Sequence, residues 1–421
     1  MQIVPTTLVR ISRYYMLAAA GYLLLTIAIG VLRVTGGLPD ARVHWVPGIL
    51  GWVSFPIMGA FYQFFPTLQG GDLRHDRLAI PQFILVNASV LGMLAAAWWR
   101  NQPAFSIALG VYGAGALLFV AVMLGNVDLH KLNLTLRFYL ASLSYFAVTV
   151  VLMLWQHFGH GPVWITEALL LHLFAFGWAV IAIMGAEYSM VPMLQLKDLR
   201  YPRLADAQFY LANAGAIGLA IGIASGRVAI LAAAGTLATI AILVFAYVIW
   251  ASLRYGKSRL KKLDLSVRFF VTGIVYLIAT AVLGTYIGAT GSLSLVPIHL
   301  HLGLIGVITN SIVGATYHIV PFVVWWEVYA PKLGYEEVPL LKDLYDRRGA
   351  ELQLYGLNVG LLLMVAGFAL ELNYVLALGG TILIITALTF ALAMNRVVKH
   401  RKNLSKPVAP PTNERVYGGT A

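Results

Sequence analysis

The 421-residue chain is 60% hydrophobic and only 11% charged, and its formal net charge is +12. A soluble domain of this length would carry more charged and fewer apolar residues, so the composition predicts a polytopic membrane protein. The basic excess then marks cytoplasmic loops, and we expect no nucleic-acid partner. The sequence contains no cysteine, which excludes disulfides, cysteine-ligated iron–sulfur clusters and covalently attached c-type haem in this chain.

Twelve apolar segments have about the 20 residues that a bilayer-spanning helix needs. In chain order the predicted spans are 10–32, 45–66, 80–99, 104–124, 136–156, 163–193, 207–225, 228–251, 267–289, 297–326, 352–371 and 374–395. The first span is too long for a signal peptide and no small-residue cleavage site follows it, so we interpret it as helix 1. The prediction is an all-α polytopic membrane protein with twelve transmembrane helices.

Helices 2, 6 and 10 share the motif Gly-Ala-x-Tyr-x-x-x-Pro. It occurs at Gly59–Pro66, Gly185–Pro192 and Gly314–Pro321, so its copies are 126 and 129 residues apart. A long fixed period indicates repeated structural units. We therefore expect three four-helix arcs related by pseudo-threefold symmetry. The repeat units would cover about 1–130, 131–255 and 256–396.

The basic residues are distributed unevenly between the two sides of the predicted membrane domain. Of the 29 Lys and Arg residues, all but four fall at the termini or in the even-numbered loops. The exceptions are Arg33, Arg42, Arg100 and Arg227. By the positive-inside rule, this asymmetry predicts that both termini are cytoplasmic. We expect one transmembrane domain over 1–396, a basic cytoplasmic tail over 397–421, and helices 2, 6 and 10 entering from the outer face.

Four histidines lie at two fixed distances before the first glycine of the motif. His44 and His299 are 15 residues before it, and His172 and His301 are 13 residues before it. Ionisable residues inside a membrane are costly and usually functional. On helix 10 the two histidines point about 200° apart, so they face different cavities. Single histidines in separate apolar clefts suit axial haem ligation better than a tetrahedral zinc site.

This pattern resembles subunit I of the haem–copper oxidase superfamily, and most of all its cbb-type oxidase and nitric oxide reductase branch. The likeness rests on twelve spans, threefold repetition, one histidine on each of helices 2 and 6, and a His-x-His opening helix 10. Helix 10 reads His299-Leu-His301-Leu-Gly-Leu-Ile-Gly, which is similar to the family's motif. The resemblance implies two b-type haems, with His44 and His301 as axial ligands of a low-spin haem. It also implies that His299 is the proximal ligand of the second haem, and that His172 corresponds to the helix 6 ligand of copper or non-haem iron.

The chain departs from this family on helix 7, which contains no histidine. The family needs two further metal histidines there, and a single histidine is a poor copper or iron site. Copper is therefore not expected, nor is oxygen reduction by the usual mechanism. The loop around residues 371–373 also lacks the arginine pair that anchors haem propionates in the family. Arg42 and Arg227 are the candidates to replace that pair.

The two histidine positions give each predicted cavity two histidines or none. Suppose that the residue 15 positions before the motif glycine of one repeat lies opposite the residue 13 positions before the motif glycine of the neighbouring repeat. His44 then faces His301. The same operation pairs His299 with His172, and it pairs Leu170 with Val46 in a third cavity. A decaying copper site would not produce this pattern, whereas two haems with two histidines each would. We therefore expect His172 to reach the iron of the second haem.

These observations favour an electron-transfer subunit of a respiratory oxidoreductase complex, a membrane cytochrome b, over a self-sufficient oxygen reductase. Its partners would be lipid, other subunits of the complex and a redox protein at the outer face of a bacterial or archaeal plasma membrane. One alternative is a terminal oxygen or nitric oxide reductase with an atypical distal metal site. Another is a haem-handling or transport protein on the same scaffold.

The remaining polar residues support weaker interpretations. His157 and His160 read as exposed histidines of the outer loop before helix 6, and His318 as a packed polar group. The tyrosines of the repeated motif are interpreted as packing residues. Glu167 and Glu187 on helix 6 could serve proton movement, or each could be a neutral, hydrogen-bonded acid.

Overall fold

The computed structural model describes residues 6–36, 40–70, 73–255, 258, 260 and 262–405. In this part of the chain twelve helices are long and apolar enough to cross a membrane, which confirms the predicted all-α fold. In chain order they are α1 (Ile11–Val34), α2 (Arg42–Gln69), α3 (Asp76–Trp98), α4 (Gln102–Leu124), α5 (Leu134–Phe158), α6 (Glu167–Gln195), α7 (Pro202–Ser225), α8 (Val228–Arg254), α9 (Leu265–Thr290), α10 (Leu293–Val328), α11 (Arg347–Ala369) and α12 (Asn373–Lys402).

The predicted helix ends differ most from the observed ones at the starts of α7 and α11 and at the end of α12. The sequence predicts starts at 207 and 352, whereas these helices begin at Pro202 and Arg347. The Asp346 side chain accepts hydrogen bonds from the backbone N–H groups of Arg348 and Gly349, and this cap starts α11 one turn earlier. The helix α12 continues to Lys402 rather than residue 395. Most of the predicted tail, from residue 406 onward, lies outside the described residues.

Three inner helices, α2, α6 and α10, form the centre of the molecule. Their apolar windows are 83%, 61% and 56% buried, whereas the other nine helices are 28–50% buried. Each pair of inner helices is in contact. Trp52 Nε1 donates to Thr309 Oγ1 at 2.8 Å, and Ser311 Oγ donates to a carboxylate oxygen of Glu187 at 3.0 Å. The rings of Phe61 and Trp178 lie 5.3 Å apart.

The other nine helices surround this centre, with α12 packed against α1 to close the ring. The motif glycines of α2, α6 and α10 allow close packing against α1, α5 and α9. A Cβ atom at Gly314, for example, would lie 2.6 Å from Phe269 Cβ, which is too close for any residue but glycine. The three arcs therefore repeat the same helix-to-helix approach.

The motif tyrosines form hydrogen bonds as well as packing contacts. Each donates its hydroxyl to a buried glutamine on the helix that follows, at the same place in each repeat. The pairs are Tyr62 with Gln82, Tyr188 with Gln208, and Tyr317 with Gln353. A buried amide without a partner would be costly, so these bonds hold each inner helix to its neighbour. The interpretation as packing residues was incomplete because no local pattern reveals the glutamine partner.

Each inner helix contains an eight-residue π-helical segment. The segments are Val46–Val53, Leu173–Val180 and Leu302–Thr309, again at equivalent places in the repeat. Nothing in the sequence predicted them. The π-helix is rare, and it occurs mostly as single-turn bulges near functional sites. Here each segment lies next to the predicted histidine positions of its helix, and in α6 and α10 it begins directly after the histidine.

Candidate functional site

All four predicted histidines use the same ring nitrogen in the same way. The Nδ1 atom of each lies within hydrogen-bonding distance of a backbone carbonyl oxygen. The contacts are His44 with Thr26 at 2.9 Å, His299 with Thr280 at 3.1 Å, His172 with Ala168 at 2.7 Å, and His301 with Pro297 at 2.7 Å. A carbonyl only accepts, so Nδ1 carries the proton and Nε2 keeps its lone pair. Within the described part of the chain, none of the four Nε2 atoms has a hydrogen-bond partner.

The carbonyl partner depends on the position of the histidine in the repeat. His44 and His299 donate to the preceding helices, α1 and α9, and their rings lie beside glycines of those helices. A Cβ atom at Gly30 would lie 2.9 Å from His44 Cε1, and one at Gly284 would lie 2.6 Å from His299 Cε1. His172 and His301 instead donate to the carbonyl four residues earlier in their own helix. The two positions deduced from the sequence are thus two distinct structural settings.

The structure brings His172 and His299 together. Their ring centres are 6.0 Å apart and their planes differ by 22°. Two imidazoles that bind one metal ion through nitrogens about 2 Å from it have ring centres roughly 6 Å apart. The observed separation of the ring centres is close to this value. The expectation that these residues share a cavity agrees with this arrangement, while the identity of the group they hold stays a prediction.

The second predicted pair, His44 and His301, comes from α2 and α10, two helices that are in contact through Trp52 and Thr309. The ring of Phe368, on α11, lies 4.9 Å from the ring of His301. The pairing of His44 with His301 stays a prediction. Each predicted pair joins one histidine of each structural setting.

The third pair of equivalent positions has no histidine. Its two positions are occupied by Leu170 and Val46. The residue of α5 that corresponds to Gly30 and Gly284 is Met153, eight residues after Tyr145, which packs on the inner helix as its equivalents do. A methionine side chain stands where an imidazole would need a glycine. The difference between the cavities therefore extends beyond the histidines to the neighbouring helix.

The other histidines are in different settings, and in the described residues none of them donates Nδ1 to a backbone carbonyl. His157 is in the last turn of α5 rather than in the loop, and its Nε2 lies 2.8 Å from Ser106 Oγ. His318 stacks on Phe322 at 6.0 Å. The Nδ1 of His400 lies 2.8 Å from a tyrosine hydroxyl. Among the described histidines, only the four of the two pairs combine an Nδ1–carbonyl hydrogen bond with an Nε2 atom that has no hydrogen-bond partner.

The arginines predicted to anchor propionates are not the best placed ones. Arg42 binds the Asp40 carboxylate, and this hydrogen bond lowers the pKa of Asp40 below its usual 3.8. Arg227 is exposed at the start of α8. Arg33, which the sequence analysis did not consider as a propionate anchor, lies on α1 three residues after Gly30, and Gly30 is next to the His44 ring. Its NH1 atom is buried without a hydrogen-bond partner in the described part of the chain. In the sequence, only its position three residues after Gly30 on α1 could have indicated Arg33 as a candidate anchor.

The histidines form pairs rather than larger clusters. Over the described ranges, no group of three or more His, Cys, Asp or Glu side chains could hold a metal ion. The helix α7 packs against the start of α6 near His172, but it contributes no ligating side chain there. A site of the kind the resemblance implies for copper would need such a group.

Comparison with known proteins adds little to this geometry. No family model matches the chain. A protein from Aquifex aeolicus (strain VF5), described as uncharacterized, is 28% identical over 297 residues, which cover 69% of this chain and 74% of that protein. The function is therefore argued from the arrangement of the histidines.

Proposed function

We propose that this chain is an integral membrane cytochrome b that binds two haems, each through two histidines, and transfers electrons within a respiratory oxidoreductase complex. His44 and His301 would hold one haem, and His299 and His172 the other. The observation that carries the proposal is the free Nε2 on each of four paired histidines. The resemblance to subunit I of the haem–copper oxidases supports it.

The residues present fit such a group in four ways. Each imidazole is held neutral with its ligating nitrogen unprotonated, which is the form that binds a metal. The backbone carbonyl at Nδ1 fixes the ring orientation and raises its basicity. The glycines at positions 30 and 284 leave room beside the rings of His44 and His299. Among the described residues the buried NH1 of Arg33 has no hydrogen-bond partner, and a haem propionate would satisfy it.

Two histidines for each proposed haem favour electron transfer over the reduction of oxygen or nitric oxide. A haem held by two imidazoles supplies a one-electron carrier. If His172 and His299 both bound the second haem, that haem would have no position left for oxygen or nitric oxide. If both termini are cytoplasmic, as the basic residues predict, the histidines lie in the outer half of the membrane and would exchange electrons with a redox partner at the outer face.

The test is the reduced-minus-oxidised absorption spectrum of the purified protein, recorded with and without carbon monoxide. We expect two b-type haems per chain, and we expect carbon monoxide to leave the spectrum of the reduced protein unchanged. Protein without haem would favour the haem-handling or transport alternative. Carbon monoxide binding to one haem at full occupancy would favour the terminal reductase.

The variant His172→Ala makes this test sharper. It removes one of the two ligands of the proposed second haem, so the haem content should fall from two per chain to about one, and any haem that His299 alone retains should bind carbon monoxide. His157→Ala is the matched control, because its Nε2 already contacts Ser106. If His172→Ala behaved like the control, His172 would not be a ligand.

A further inference from the structure

The second repeat carries a series of exposed aromatic rings where α7 begins and α8 ends. The rings belong to Tyr201, Tyr247, Trp250 and Tyr255, and we call these four residues the aromatic patch. Successive ring centres are 5.9, 5.9 and 5.6 Å apart, and each side chain is 42–50% exposed. Contiguous exposed apolar surface marks sites of protein or membrane interaction. The histidine pairs make no use of this surface.

The aromatic patch is not a consequence of the repeat. Each motif tyrosine packs edge-on against one phenylalanine of the last helix in its repeat, namely Phe119, Phe245 or Phe390. Tyr247 and Trp250 lie two and five residues after the second of these. The equivalent residues of the first and third repeats are Ala121, Leu124, Leu392 and Asn395. The rings are therefore a property of the second repeat alone.

Arginines without carboxylate partners adjoin the aromatic patch. The backbone N–H of Arg200 donates to Ser252 Oγ at 2.9 Å, so the loop before α7 is held against the end of α8. Arg200, Arg203 and Arg254 are exposed, and none of them forms an ion pair within the described residues. The guanidinium carbon of Arg254 lies 5.8 Å from the ring centre of Tyr255. Cationic and aromatic groups thus form one surface.

This surface has an excess of positive charge. Its two nearest acids in the sequence are Asp198, which follows Lys197, and Asp206, which binds Arg137 of α5. Directly after α8 the sequence continues with four more basic residues, Lys257, Arg259, Lys261 and Lys262. Basic clusters that directly follow a transmembrane helix attract the head groups of anionic lipids. The charge therefore favours an anionic ligand at the membrane surface.

One face of α8 leads from these charges into the apolar part of the helix. Ile240, Leu243, Tyr247, Trp250 and Arg254 follow one another at intervals of three or four residues, so they share a face. Ile240 and Leu243 are 46% and 48% exposed. The face changes from aliphatic through aromatic to cationic, which matches the acyl chain, glycerol and phosphate of a phospholipid. A soluble anion would use only the cationic end.

We propose that this surface binds one anionic phospholipid. Its phosphate would accept hydrogen bonds from Arg200, Arg203 and Arg254, because a guanidinium can donate two parallel N–H groups to phosphate oxygens. The glycerol and the start of an acyl chain would lie against Tyr247 and Trp250, since Tyr and Trp rings favour the level of the head groups. The proposal does not depend on whether the histidine pairs hold haem.

The experiment is native mass spectrometry of the full-length purified protein, delipidated in detergent and titrated with phosphatidylglycerol or, separately, with phosphatidylcholine. We expect one phosphatidylglycerol per chain to bind at least about tenfold more tightly than phosphatidylcholine, because only the former carries a net negative charge. Equal affinities for the two lipids would contradict the proposal.

The first variant combines Arg200→Gln with Arg203→Gln and should weaken phosphatidylglycerol binding about tenfold or more, since its charge-assisted hydrogen bonds are lost. The matched control combines Arg74→Gln with Arg77→Gln. These arginines are equivalent in the first repeat, which lacks the aromatic patch, and the control should leave the tightest site unchanged. If the first variant bound like the unmodified protein, or if the control lost as much affinity, the surface would not be the lipid site.

The second variant combines Tyr247→Ala with Trp250→Leu, which introduces the residues of the first repeat and keeps every charge. It should also weaken phosphatidylglycerol about tenfold, since the lipid loses two aromatic contacts. Thermal unfolding in detergent checks that each variant is folded. Unchanged lipid binding would mean that the rings play no part, and the proposal would be wrong.

Two further outcomes would identify a different occupant and overturn the proposal. Displacement of the lipid by an equal concentration of inorganic phosphate would show that a soluble anion is the ligand. A polypeptide that copurifies with the unmodified protein but not with the second variant, together with no preference for phosphatidylglycerol, would show that a protein covers this surface.

Discussion

The positions of His44 and His301 and the equivalent positions of Val46 and Leu170 belong to the same repeat, yet only the first pair has side chains of a type that binds metal. In the first, Gly30 leaves room for the ring and the carbonyl of Thr26 orients it. In the second, Met153 stands at the glycine position. The comparison teaches that the repeat supplies a place for a site, whereas a few side chains on two helices decide whether the site exists.

The largest effect is expected from removing a histidine of the His44–His301 pair. His301→Ala removes one ligand of the first haem, and we expect the haem content to fall from two per chain to about one. The pyridine haemochrome assay measures this loss. His157→Ala should keep both haems. If His301→Ala also kept both, the first cavity would not be a haem site.

A smaller effect is expected from filling the space beside the ring. Gly30→Met introduces the side chain of the third cavity, and its Cβ alone would lie 2.9 Å from His44 Cε1. We expect partial loss of the first haem and a loss of stability of about 1–3 kcal/mol, as for other overpacked sites. Haem content and thermal unfolding measure the two effects.

The matched control for this change is Gly21→Met on the same helix, where a Cβ would meet no atom within 4 Å. It should leave haem content and stability close to those of the unmodified protein. Equal effects of the two methionines would mean that the space beside His44 does not matter.

The reverse experiment would build a site in the third cavity. Val46→His with Leu170→His supplies the two ligands, and Met153→Gly adds the missing space. We expect a third haem at less than full occupancy in the triple variant and none in the double variant. Quantitative haem analysis of both proteins decides this. A third haem in the double variant would show that the glycine is unnecessary.

The smallest effect is expected at the edge of the first cavity, where Asp40 binds Arg42. The pKa of Asp40 is lowered in the folded protein, so this carboxylate stabilises the fold at neutral pH. The contribution should disappear as the pH falls through the lowered pKa, below about 4. Asp40→Asn should therefore cost at most about 1 kcal/mol at pH 7 and less at pH 2. Thermal unfolding at both pH values measures the difference, and an equal loss at pH 2 would contradict the assignment.

The sequence alone determined the twelve spans, the importance of α2, α6 and α10, and the two histidine positions. These follow from hydropathy and from a repeated motif, and both are local properties that can be read along one chain. The pairing of His172 with His299 also followed, because a threefold operation needs only the register of the repeat. Their ring separation of 6.0 Å agrees with that pairing.

Only the tertiary structure decided which groups surround these residues. The carbonyl that orients His44 belongs to Thr26, on another helix, and a carbonyl has no sequence signature. The partners of the motif tyrosines, the unpaired NH1 of Arg33 and the π-helical segments likewise depend on which helices meet. Tyr201, directly before α7, and Tyr247 of α8 meet only because these two helices pack together. Burial and hydrogen bonding between distant segments are decided by packing, which the local pattern of residues does not contain.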